Sequence, residues 1–184
     1  MDWTDLGAHY LSSGLIQSQR ALDAGGQLAE ARGHVPERLT IKPTMANQLV
    51  WRSIYEYDDV FYIDAIRVGL AKEPMVCGTS ATTEVLNVEK HLPWLKESQQ
   101  LADVDHFSWF AQDYVAMDPT VPNRVIDVRY SIVPNQLVPQ WGIDLDPTKQ
   151  FTQHVNYVNL RRVEETQIDI LGSFLRGEQC QRID

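Results

Sequence analysis

The chain has 184 residues, 43% of them hydrophobic and 22% charged, enough to bury one sizeable core. Its formal net charge of -9 argues against a surface built for phosphate backbones, which needs clustered lysine and arginine. No nucleic-acid partner is expected, and docking on anionic lipid by charge is disfavoured.

Residues 4–32 read as a helix with apolar positions at Leu6, Tyr10, Ala21 and Leu28. Thr4 or Asp5 can cap its start and Gly33 its end, and Gly25-Gly26 makes a kink plausible. Strand-like runs follow at 38–44, 48–57 and 60–70, with Asp58-Asp59 as a polar hairpin turn. Residues 71–97 are mixed, with a weak strand near 75–78. Ser98 can cap a second helix reaching about Met117, whose apolar face carries Leu101, Val104, Phe107, Ala111 and Tyr114. Strands are expected at 124–133, 140–144 and 153–160, and an amphipathic helix at 163–176. Short links between strands make the sheet mainly antiparallel. The expected fold is α+β, with a long N-terminal helix, a central helix and a C-terminal helix in a single domain over 1–184.

Cys77 and Cys180 form neither a CxxC pair nor a four-sulfur site, and structural or surface thiols are expected in preference to a disulfide. There is no GxSxG, no phosphate-cradling glycine loop and no HExxH. The histidines at 9, 34, 91, 106 and 154 are scattered. Asp103, His106 and Asp113 share roughly one helix face, which is expected to be a solvated face rather than a metal site. No metal ligand is assigned.

Arginines on strands carry more information. Arg52, Arg67 and Arg129 lie among Trp51, Tyr62, Tyr130 and Trp141, and Trp109 adds to the aromatic set. A buried guanidinium must be paired, and Glu56, Asp64 and Asp127 are near in sequence. Ion-paired arginines across a sheet face are the structural expectation. The functional alternative is a shallow aromatic and cationic pocket for a carboxylate or phosphate. The binding candidates are therefore Trp51, Arg52, Tyr62, Arg67, Trp109, Arg129, Tyr130 and Trp141, with catalytic residues unassigned.

The segments ARGH (31–34), KPT…NQLVWR (42–52), YEYDDVFYIDAIRVG (55–69), VDHFSWFAQDYVAMD (104–118), VIDVRYS (125–131) and PQWGIDLD (139–146) occur in a distinctive order. Together they resemble the soluble C-terminal region of the membrane-bound metal-dependent hydrolase family, the YdjM-like inner-membrane hydrolases also described as LexA-binding. The likeness covers most of residues 3–146. Such proteins carry apolar N-terminal helices and a histidine-rich HRG-x-THS-like motif taken to bind metal, and neither is in this sequence.

The resemblance implies the C-terminal part of a longer membrane protein, accessory to a metal site held elsewhere, in preference to a free-standing relative. No cofactor is implied in this chain, although a divalent metal is implied for the full-length family. The implied partners are its own membrane portion, a protein partner or a second copy. A small-ligand binding module or a protein-interaction domain is the alternative.

Overall fold

The computed structural model describes residues 3–69 and 73–183, with side chains described from residue 13 onward. The expected capping by Thr4 or Asp5, the packing of Leu6 and Tyr10, and the strand residue Leu70 lie outside the described part. The fold is α+β, as expected, but its strands form two antiparallel sheets rather than one. The Cα packing divides the chain into two compact units. Unit 1 comprises residues 1–82, 132–136 and 163–184, and unit 2 comprises 83–131 and 137–162.

In unit 1, α1 (Trp3–Ala31) packs on a sheet ordered β1-β2-β3-β4-β9. These strands are β1 (Arg38–Pro43), β2 (Val50–Tyr57), β3 (Val60–Arg67), β4 (Met75–Glu84) and β9 (Cys180–Arg182). The helix runs unbroken through Gly25-Gly26. A Cβ at Gly25 would come within 2.8 Å of Ser53 Oγ, so this glycine permits close approach to β2. The helix ends as its sequence indicates. Gly33 takes a positive φ of 76°, His34 N–H bonds Ala29 C=O and Gly33 N–H bonds Glu30 C=O, which is a Schellman cap. Asp58 and Asp59 both take positive φ, the requirement of a tight two-residue hairpin turn.

Strand β2 is buried along nearly its whole length because both of its faces are covered. Trp51 packs with Ala21 and Val68 on the α1 side, while Val50 joins Ala65, Val133, Leu171 and Phe174 on the other. Those last two belong to α4 (Glu165–Arg176), which opens on a Glu164/Gln167 capping box and closes on Gly177 in the left-handed region. Cys77 and Cys180 are not free thiols. The register pairs them directly across β4 and β9 with Cα atoms 4.0 Å apart, and they form a disulfide spanning 103 residues.

Unit 2 holds α2 (Val88–His91), α3 (Gln99–Phe110) and a sheet ordered β5-β6-β7-β8. Its strands are β5 (Val115–Met117), β6 (Arg124–Asp127), β7 (Trp141–Asp144) and β8 (Asn156–Asn159). Ser98 caps α3 as expected, through Leu101 N–H. The helix stops seven residues short of Met117. Gln112 and Asp113 turn left-handed, and Val115–Met117 pairs with β6. Val104, Phe107 and Ala111 face a core with Val125, Ile143, Leu145 and Val155.

Candidate functional site

The eight candidate residues divide evenly between the two units. In unit 1 each has a structural occupation. Trp51 is core, with Nε1–H on Gln48 C=O. Tyr62 stacks on Tyr55 with ring centroids 4.9 Å apart. Arg52 is buried, and its Nη1 donates to the carbonyls of Pro134 and Gln136 at 2.7 and 2.9 Å, tying β2 to the 132–136 segment. Arg67 donates from Nε and Nη2 to Leu175 C=O in the last turn of α4, where the helix dipole favours a cation.

The expected carboxylate partners of Arg52 and Arg67 are engaged elsewhere. Glu56 pairs with Arg38, and Asp64 with Arg32. In place of the sequence-near acids, both arginines meet main-chain carbonyls brought in by the 132–136 segment and by α4.

Asp64 centres the other polar cluster of unit 1. Arg32 meets it with two hydrogen bonds of 2.8 and 2.9 Å, and Ser80 hydroxyl donates to it as well. The Arg32 guanidinium also donates to Tyr55 hydroxyl, which lies 2.9 Å from His34 Nδ1. Burial opposes the charge on Arg32, but Asp64 and Tyr55 outweigh it and hold its pKa above the ordinary value. Burial pushes the Tyr55 phenol up.

In unit 2 the candidates converge. Arg129 grips Asp127 through Nε and Nη2, with a shortest contact of 2.7 Å, and both are buried. Its Nη2 also donates to Phe110 C=O at 3.0 Å, which caps α3 and explains why the helix ends there. The same Asp127 accepts Trp141 Nε1–H at 2.9 Å. Arg129 lies over the Phe110 and Tyr130 rings, and Tyr130 packs against Trp141 at 5.3 Å. One buried ion pair thus fixes two aromatic walls, Phe110 and Trp141, from behind.

In front of those walls lies an open groove of about 610 Å³, within the size range of small-ligand sites. Its floor and rim come from α3 (His106, Phe107, Phe110), β7 (Trp141, Gly142) and β8 with the residues that follow it. Tyr157 is 66% exposed and Phe110 56%, so the rings are presented to solvent rather than packed away. The Arg161 guanidinium carbon lies over Trp141, 4.7 Å from the ring centroid, and no carboxylate pairs with it among the described residues. Nor does any aspartate or glutamate line the groove among the described residues. Trp109 is 81% exposed on the same turn of α3 as Phe110 but is not part of the lining.

Phe110, Tyr157, Arg161 and His106 are site residues that sequence reasoning did not select. The available signal was an aromatic within, and an arginine just after, a short strand with no acid between Asp146 and Glu164. Asp103 is not on a solvated face: its carboxylate is buried, accepting from Val155 N–H, Gln99 and His154. That bonding parts it from His106, which faces the groove. Among the described residues no group of three or more His, Cys, Asp or Glu is placed to hold a metal ion, and no helix is long and apolar enough to cross a membrane. Comparison of the chain with protein-family models, curated proteins and solved structures finds no match.

Proposed function

We propose that the chain is a ligand-binding module whose site is the aromatic groove of unit 2, taking a ligand with a flat apolar part and an anionic group. The observation that supports this most is the pairing of exposed rings with Arg161 in a groove whose described lining holds no carboxylate. Aromatic boxes often recognise cations. Here an arginine already covers the Trp141 face, and a second cation would meet repulsion with no counter-charge. An anion meets a guanidinium with donors to spare.

The resemblance of residues 3–146 to the soluble region of membrane-bound metal-dependent hydrolases supplies a context for this reading. The module would present its ligand to a metal centre carried by another part of such a protein. Robust divalent-metal-dependent hydrolysis by this chain alone would remove that context.

The test is a matched pair of small probes, indole-3-acetate and tryptamine, titrated by calorimetry. The acid is expected to bind saturably and more tightly than the amine. Arg161→Gln is expected to weaken the acid about tenfold or more, the scale of one charge-assisted hydrogen bond. Saturable binding of neither probe, or a preference for the amine, overturns the proposal.

A further inference from the structure

The hydrogen-bond ladder of unit 2 leaves one sheet edge open beside the groove. Leu160 N–H bonds Gln140 C=O, which marks that couple as a hydrogen-bonded pair. The register pairs Gly142 with Val158 and Asp144 with Asn156, two and four residues further on. Hydrogen-bonded pairs alternate with non-bonded ones in an antiparallel ladder, so Val158 and Asn156 spend their main-chain groups on β7. The other side of β7 agrees. Leu145 N–H bonds Asn123 C=O, which assigns Ile143 and Trp141 to β6 and leaves Gly142 and Asp144 for β8.

The N–H and C=O groups of Tyr157 and Asn159 therefore point off the free edge of the sheet. Both residues are exposed, and β8 is the last strand in its sheet. Its four residues, Asn-Tyr-Val-Asn, include no charge and no proline to discourage pairing.

We propose that the ligand of the groove is an extended acidic polypeptide segment that pairs along β8 as a fifth strand; this rests on the groove being the binding site. Two outward-facing residues offer four main-chain hydrogen bonds, too few to hold a peptide alone. Side chains must add to them. Tyr157 and Trp141 lie on the sheet face that Ile143 turns toward α3, so alternate side chains of an added strand fall beside Phe110 and Tyr157.

Charge selects the occupant. A second copy pairing two-fold through β8 would set Tyr157 opposite Asn159 and Arg161 opposite Val155, which leaves each Arg161 without a carboxylate. An acidic peptide supplies one where the described lining of the groove has none.

Fluorescence anisotropy with a labelled ten-residue peptide alternating Glu with Val and Phe provides the test, with a Lys-for-Glu version as control. The acidic peptide is expected to bind saturably, to compete with indole-3-acetate, and to outbind the Lys version at least tenfold. N-methylation of one alternate set of its amides is expected to abolish binding, and methylation of the other set to leave it. If indole-3-acetate binds but the peptide does not, or if both methylation sets act alike, the strand-pairing inference falls and the groove stands. If neither probe binds, both fall. Concentration-dependent dimerisation that the peptide cannot reverse identifies a second copy as the occupant and overturns the inference.

Discussion

Both units hold an arginine–aspartate pair against an aromatic cluster, fully buried only in unit 2, yet the two differ in what lies around them. In unit 1, Arg32 and Asp64 are enclosed by Tyr55 and Ser80, and the described groups around them answer one another. In unit 2, Arg129 and Asp127 are equally well satisfied, but the rings they hold, Phe110 and Trp141, turn their other surfaces to an open groove. The contrast separates two roles of arginine. A guanidinium whose donors end on protein atoms is a structural tie, as with Arg52 and Arg67. One held over a ring with no carboxylate partner among the described residues, as with Arg161, is the one on which the proposed binding rests.

Removing the two aspartates breaks this comparison most forcefully. Asp127→Ala strands a buried guanidinium, at an expected cost of about 3–5 kcal/mol, and Asp64→Ala strands a partly exposed one, at a smaller cost. Urea unfolding would show a loss for both, larger for Asp127→Ala. Binding separates them. At a temperature where each variant is folded, Asp127→Ala is expected to weaken indole-3-acetate several-fold, because Trp141 loses its Nε1 acceptor and α3 its cap. Asp64→Ala is expected to leave that affinity alone. Equal loss of affinity in both would mean that the second ion pair has no particular part in the site.

A smaller effect is expected at Arg52. Its side chain bonds the carbonyls of Pro134 and Gln136, and hydrogen bonds to a charged group contribute about 1.5–3 kcal/mol. Arg52→Ala should lower the melting temperature by several degrees without altering affinity for the acid probe. An unchanged melting temperature would return Arg52 to the list of residues available to a ligand.

The class of fold was readable because its signals are local. Gly33, Asp58-Asp59 and Ser98 each end or begin an element for reasons contained within four or five residues. What depended on distant pairing was not readable. The α3 periodicity continues through Ala111 and Tyr114, and its early stop needs Arg129, a residue from the following strand pair. The disulfide needs a register that sets residue 180 opposite residue 77. The same applies to the partners of Arg52 and Arg67, for which nearby acids were a poor guide. Of the groove, Trp141 was legible as a candidate, and Arg129 and Tyr130 proved to be its support. Tyr157 was hidden in a short polar strand, and Arg161 just after it, and no spacing announces that strand's place at the sheet edge.

The smallest expected effect concerns acid. Burial works against ionisation of Asp103, but Val155 N–H, the Gln99 amide and His154 outweigh it and hold its pKa below the ordinary value. A carboxyl depressed on folding stabilises the native state above the unfolded-state value, about 3.9, and that contribution disappears as pH falls through the lower native value. Asp103→Asn keeps the shape and removes the charge, so it should cost about 1 kcal/mol at neutral pH, the scale of one hydrogen bond. The gap between variant and parent should narrow as pH is lowered from about 4 toward 2, with the parent losing stability faster. Asp103 ties α3 to the segment entering β8, so this titration reads the support of the open edge rather than the walls of the groove. A gap that stays constant across that range would mean that the carboxylate is not what holds Val155 in place.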